Sequence, residues 1–262
     1  MKCEGVTMTT VNDIFENLNE LADVSLKMDF DNVGILVGSG AAGVEKCLIA
    51  LDITDRVIDE AIAFGAQLIV SHHPVIFYAQ KTLLEDDLTG RKLIKLARSG
   101  ISAVCMHTNL DIARGGVNDA LMTALNCCVS GSLDPDGCGR IGVYENAMAL
   151  EDFLKLCRGA LNTNGLRYVS SGKPVKKLAV MGGAGGSCLH FARDKGCDTY
   201  VTADVNYNSF LDAAEMGINL IDADHFCTEN VIMPVLQRRL SEAFCDVEFK
   251  ISEVHGQTVN FF

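Results

Sequence analysis

The sequence predicts an α/β protein of two similar lobes descended from an internal duplication. Two observations carry that expectation. Short apolar runs alternate with amphipathic helical patterns, and one strand–helix–strand stretch returns, more weakly, later in the chain. Alternation of this kind argues for largely parallel strand pairing.

The first element is a helix over 10–22. Val11, Ile14, Phe15, Leu18 and Leu21 share one face, and Thr10 with Asp13 makes a capping-box-like start. Strand-like runs follow at 47–51, 67–70, 102–106, 177–181, 199–201 and 219–221. Helical patterns over 55–64, 91–98 and 186–195 separate several of them and stop at or near Gly65, Gly100 and Gly196. Glycine past the last turn is the expected stop signal. A longer helical pattern runs through Val231, Val235 and Leu236.

The repeat sets Cys47 to Asp52, a helix, and Gly65 to His73 against Lys177 to Gly182, a helix, and Gly196 to Asp204. Gly100 to His107 then matches Gly217 to Asp224. Residues 1–128 with 245–262 are expected to form the first lobe, and 129–244 the second. Ligands gather beyond the carboxyl ends of strands in open α/β sheets, so a site is expected in the cleft between the lobes. Residues 77–90 have no counterpart in the second repeat and suit a rim loop or a subunit contact.

Composition narrows the function classes. At 262 residues with 48% hydrophobic content and 4 prolines, the chain can build one large or two modest cores. A net charge of -12 argues against direct nucleic-acid binding, which needs clustered Lys and Arg. It fits a protein acting on a small molecule. No run approaches the roughly 18 apolar residues of a membrane span, and Met1 to Gly5 lacks the apolar core of a signal peptide. A cytoplasmic protein is expected. Eleven cysteines, none in Cys-x-x-Cys spacing, argue against a zinc ribbon or a redox motif and are read as reduced and structural.

Metal-ligand side chains collect just past three predicted strands: Ser71-His72-His73-Pro74, His107-Thr108-Asn109-Leu110-Asp111, and His225-Phe226-Cys227-Thr228-Glu229. Four of the six histidines lie there. His72 and His73 would face opposite ways within an ideal strand, but at a strand end, with Pro74 holding His73 extended, they can diverge slightly and serve two ions. Asp111 offers oxygens to a divalent ion and sits too early to cap a helix over 117–125. His107 stays open as an orienting group, a general base or a packed residue. His225 and Glu229 share a helix face at i, i+4 spacing, the spacing also of an ordinary surface ion pair. A carboxylate such as Glu229 can bridge two cations, which together polarise a shared water. Glu229 and His107 are the candidate catalytic groups.

Taken in order, Asp31-Asn32-Val33-Gly34-Ile35-Leu36-Val37-Gly38, the Ser-His-His-Pro and His-Thr-Asn-Leu-Asp motifs, and Asp222-Ala223-Asp224-His225-Phe226-Cys227-Thr228-Glu229 resemble the NIF-three-like family. Its members are often labelled GTP cyclohydrolase I type 2 homologues. The resemblance runs from about Asn12 to near the C-terminus. It implies a two-lobed α/β subunit in a ring-shaped homohexamer with a dinuclear metal site. His73 and Asp111 would hold one ion, His72 and His225 the other, with Glu229 bridging. Phe30 stands where the family usually has Trp, Asp224 where it usually has Gly, and Asn208 where it often has His.

The function expected from these readings is a dinuclear metal-dependent hydrolase using a metal-bridged hydroxide. Its substrate would be a phosphorylated or nucleotide-like small molecule, with GTP cyclohydrolase type 2-like or phosphoesterase activity. Zn, Mn, Fe and Co all suit mixed His and carboxylate donors. The alternative is a metal-binding regulatory or interaction protein without turnover. The run Gly182-Gly183-Ala184-Gly185-Gly186 is either a tight, closely packed turn or a phosphate cradle. Asp204, Glu253 and His255 have no assigned role.

Overall fold

The structure, a computed structural model, describes residues 8–262. The chain divides into two compact units. One runs up to Leu110 and includes Met233–His255; the other comprises Asp111–Ile232 and Gly256–Phe262.

Elements of the first unit are α1 (Val11–Leu21), β1 (Gly34–Val37), β2 (Lys46–Ala50), α2 (Asp55–Phe64), β3 (Leu68–Ser71), α3 (Leu88–Arg98) and β4 (Ser102–Cys105). The division falls inside the short helix α4 (Thr108–Ile112). The second unit contains α5 (Val117–Ala124), β5 (Val129–Ser132), β6 (Arg140–Met148), α6 (Leu150–Ala160), β7 (Arg167–Val169), β8 (Val175–Val180), α7 (Leu189–Asp194), β9 (Thr199–Thr202), α8 (Tyr207–Met216), β10 (Asn219–Asp222) and α9 (His225–Glu229). The chain then returns to the first unit with α10 (Met233–Ala243) and β11 (Glu248–Ile251).

Local chemistry explains the ends of these elements. Thr10 and Asp13 form the capping box of α1, each side chain bonding the other's backbone N–H. Gly65 closes α2 at φ 76°, in the left-handed region glycine enters without strain. The long helical pattern through Val231 and Leu236 is interrupted. A 3-10 turn at Asn230–Ile232 separates α9 from α10, and Pro234 occupies the first turn of α10, where its missing N–H costs nothing.

Five strands of the first unit lie in the order β1-β4-β3-β2-β11; β2, β3, β4 and β11 run parallel and β1 antiparallel to β4. Six strands of the second lie in the order β5-β6-β8-β9-β10-β7, with β8, β9 and β10 parallel and β7 antiparallel to β10. The two units therefore share one wiring. A strand enters first, a parallel trio follows with a helix in each crossover, the entry strand pairs antiparallel with the last of the trio, and a five-residue helix comes next. β1–β4 with α4 and β7–β10 with α9 are the two copies, as a duplication would leave them. They differ at the other edge, where the first unit adds parallel β11 and the second adds antiparallel β6 and β5.

Each unit has its own core. Leu48, Val57, Ile58, Ile69, Leu96 and Ala103 centre the first, and Leu121, Met122, Phe153, Leu178, Val201 and Ile221 the second. The unit boundaries differ from those expected from sequence. Residues 111–128 join the second unit because α5 contributes Leu121, Met122 and Leu125 to its core. Residues 233–244 join the first because α10 packs on β2 and β11. Among the ten described cysteines, Cys47, Cys105, Cys138 and Cys157 are buried. Among the described residues, no helix is long and apolar enough to cross a membrane.

Candidate metal centre

In the first unit the strand ends deliver three histidines to one place. Ser71 closes β3, and His72 and His73 follow with their N–H groups still bonded to Ala50 O and Leu51 O at 3.4 and 2.9 Å. The backbone is thus held by β2's register while the rings splay, with centroids 5.0 Å apart at 44°. His107, two residues past β4, brings its ring to 5.2 Å from His72 and 5.6 Å from His73. One nitrogen from each of the three lies within 4.8 Å of the others, a grouping that could hold a metal ion. His72 is fully buried.

A common pattern orients these rings. His72 Nδ1 donates to Met106 O at 2.8 Å, and a carbonyl oxygen can only accept. His73 Nδ1 pairs with Asp52 Oδ1 at 2.8 Å and His107 Nδ1 with Asp31 Oδ1 at 2.7 Å. In the second unit His225 Nδ1 pairs with Asp204 Oδ2 at 2.8 Å. A proton on Nδ1 makes Nε2 the ring atom with a lone pair, the atom that binds a metal. Burial alone would push the Asp31 carboxyl up, but hydrogen bonds from His107 and Thr108 outweigh it and hold it well below the usual carboxylate range. Asp31 is therefore an ionised acceptor.

In the second unit α9 displays His225 and Glu229 one turn apart, with His225 Nε2 3.2 Å from Glu229 Oε2. Glu229 is buried, so this is no ordinary surface ion pair. Asp224 caps the helix, accepting from Cys227 N–H at 3.1 Å, and does so at φ 70° and ψ 137°. Asp111 lies on α4, and α5 starts from Gly116 without a side-chain cap. The segment behind Asp111 is pinned. Asn118 Nδ2 donates to Asp111 O, and the buried Arg140 guanidinium donates to Ile112 O and Ala113 O while pairing with Asp119.

The glycine run is a packed turn rather than a phosphate cradle. Three of its amides already have acceptors: Gly182 N–H bonds Asn118 Oδ1, Gly183 N–H bonds Thr228 Oγ1 and Gly185 N–H bonds Thr202 Oγ1, all at 2.9–3.0 Å. His255 accepts from Leu51 N–H at 3.1 Å, and burial lowers its pKa although Asp52 and Glu60 oppose the shift. Glu253 is an exposed partner of Lys250. Asn206, not Asn208, has the local role in its loop, capping α8 through Ser209 N–H.

The orienting carboxylates are what sequence reasoning missed. Asp52 and Asp204 each lie two residues past a parallel strand, a position that could have flagged them. Asp31 sits in an irregular loop with no periodic signal. Within each unit, imidazole nitrogens with anchored Nδ1, and in the second unit the oxygens of Asp111 and Glu229, are donor types that fit borderline divalent ions.

A family model described as Duf34/NIF3 (NGG1p interacting factor 3) matches residues 9–258. A Clostridium perfringens relative named GTP cyclohydrolase 1 type 2 homolog is 35% identical over 251 residues, covering 93% of this chain and 96% of that protein. A Bacillus cereus protein related to NIF3 superposes with a TM-score of 0.92 at 24% identity, over 98% of this chain and 100% of the other. A Staphylococcus aureus hypothetical protein gives 0.90 at 27% identity, over 98% and 100%.

Proposed function

The chain belongs to the Duf34/NIF3 family, and on that premise we propose that it is a hydrolase dependent on two divalent ions, acting on a phosphorylated or nucleotide-like small molecule. The observation that carries the reading is the shared anchoring of four histidines through Nδ1, which prepares every Nε2 for a cation. We assign His72, His73, Asp111, His225 and Glu229 as the ligands of the two ions, with Glu229 shared by both. Two such ions, when bound, supply Lewis-acid stabilisation of developing negative charge and lower the pKa of water.

The chain's own groups prepare the rest. Asp52, Asp204 and the Met106 carbonyl hold the rings of His73, His225 and His72. His107 is placed to accept or donate a proton at Nε2, with Asp31 holding its ring through Nδ1. The substrate class draws on the names of relatives such as the Clostridium perfringens protein. A homohexamer, implied by the family resemblance, is proposed as the assembled form. The test is turnover of GTP and a panel of phosphoesters by metal-loaded protein. Hydrolysis that stops on chelation and returns with added Zn, Mn, Fe or Co supports the proposal. Tightly held ions without turnover of any substrate would favour a metal-binding interaction protein, the role the family's name suggests.

A further inference from the structure

We propose that Gly183 is a positioning residue for the candidate bridging carboxylate: the absence of a side chain at 183 is what admits Glu229 beside His225. The proposal rests on the reading of Glu229 as a metal ligand. It extends that reading to a residue with no ligating atom of its own.

Three observations converge, all within the second unit. First, the approach is very close. A Cβ placed on Gly183 would lie 2.1 Å from Glu229 Oε1, 3.1 Å from its Cδ and 3.2 Å from His225 Nε2. A real Cβ cannot share that space, so one partner must move. Second, the loop cannot be the partner that moves. Gly183 N–H bonds Thr228 Oγ1 at 3.0 Å, and Gly183 O accepts from Ala203 N–H at 2.9 Å and from Thr202 Oγ1 at 3.2 Å. Thr228 Oγ1 donates in turn toward the Asp224 and His225 carbonyls, at 3.0 Å each, which ties the loop to α9 itself. Third, the atom met by the new Cβ is the far end of a flexible side chain. The carboxylate can swing away while the backbone stays, so a methyl group here displaces the ligand and leaves the fold standing.

Gly183 also has φ +65°, a conformation any L side chain strains to adopt. Gly196, in the same unit, separates that backbone effect from the steric one. It has φ +67° and nothing within 4 Å of its would-be Cβ. An alanine there meets the same strain and no carboxylate.

The experiment compares wild type, Gly183→Ala, Gly196→Ala and the double variant Gly183→Ala/Glu229→Asp. Zinc content is measured by elemental analysis, zinc affinity by competition with a chromophoric chelator, and folding by circular dichroism. Gly183→Ala is expected to remain folded and lose at least about tenfold in zinc affinity, the scale of losses when a ligand's support is removed. Gly196→Ala should bind as wild type does. Shortening the side chain withdraws the carboxylate from the new methyl group, so the double variant should fold at least as well as Gly183→Ala. Wild-type affinity in Gly183→Ala, equal losses in both alanine variants, or failure of both 183 variants to fold would overturn the proposal. A Gly183→Ala chain that unfolds while the double variant folds and takes up zinc supports it. Wild-type protein that binds no zinc would instead sink the metal-centre reading and take this inference with it.

Discussion

Four imidazoles held at Nδ1 have given up their choice of tautomer, and three carboxylates and one carbonyl enforce it. Asp204→Asn should therefore weaken metal binding by about 10–100-fold while sparing the fold, because an amide can present its N–H₂ to Nδ1 and turn the ring. Chelator competition measures this, and an unchanged affinity would contradict it. Asp224 shows the opposite balance. Its φ 70° and ψ 137° lie in a region natural to glycine, which explains why the family resemblance leads one to expect Gly there. The side chain offsets part of that strain by capping α9 through Cys227 N–H. Asp224→Gly is expected to raise stability by about 1 kcal/mol, since the relieved strain exceeds the few tenths lost with the cap. Asp224→Ala keeps the strain and loses the cap, so it should lower stability by about 1 kcal/mol. Urea denaturation gives both, and two shifts of the same sign would refute the argument. At this scale the ligand-type side chains were legible because His and carboxylates clustered past strands. Their orienting partners were not, because Asp31, Asp52 and Asp204 lie 76, 21 and 21 residues from the rings they hold.

Short helices right after the last parallel strand carry ligand-type residues: α4 bears Asp111, and α9 bears His225 and Glu229. Helices of five residues are not stable alone, so neighbours must hold them. Arg140 does this behind α4. It is buried and donates to the carbonyls of Ile112, Ala113, Gly137 and Gly139 while pairing with Asp119. Lysine has one donor centre and no planar fork. Arg140→Lys should therefore lower the unfolding free energy by about 2–4 kcal/mol; a change below about 0.5 kcal/mol would show that the network adds little. The parallel trios were readable because most of their strands are buried on both faces and each carries a short apolar stretch. β5 was not, since all four of its residues are exposed and its sequence, Val-Ser-Gly-Ser, has no apolar run. The interruption between α9 and α10 escaped because apolar periodicity continues across it while Pro234 resets the backbone.

For the molecule as a whole, one wiring used twice explains why a single chain offers ligand-type residues past the ends of two separate parallel trios. The clustered histidines and carboxylates are the chain's distinctive chemistry. A hexamer should sediment with a mass about six times the 28.2 kDa of the chain, and a monomer mass at micromolar concentration would contradict that assembly. The most direct test of the central claim is elemental analysis of protein purified without a chelating tag, before and after incubation with Zn, Mn, Fe and Co salts. About two ions per chain, lost together in Glu229→Gln, is the expected result. A chain that stays metal-free under every loading condition would contradict the account at its root.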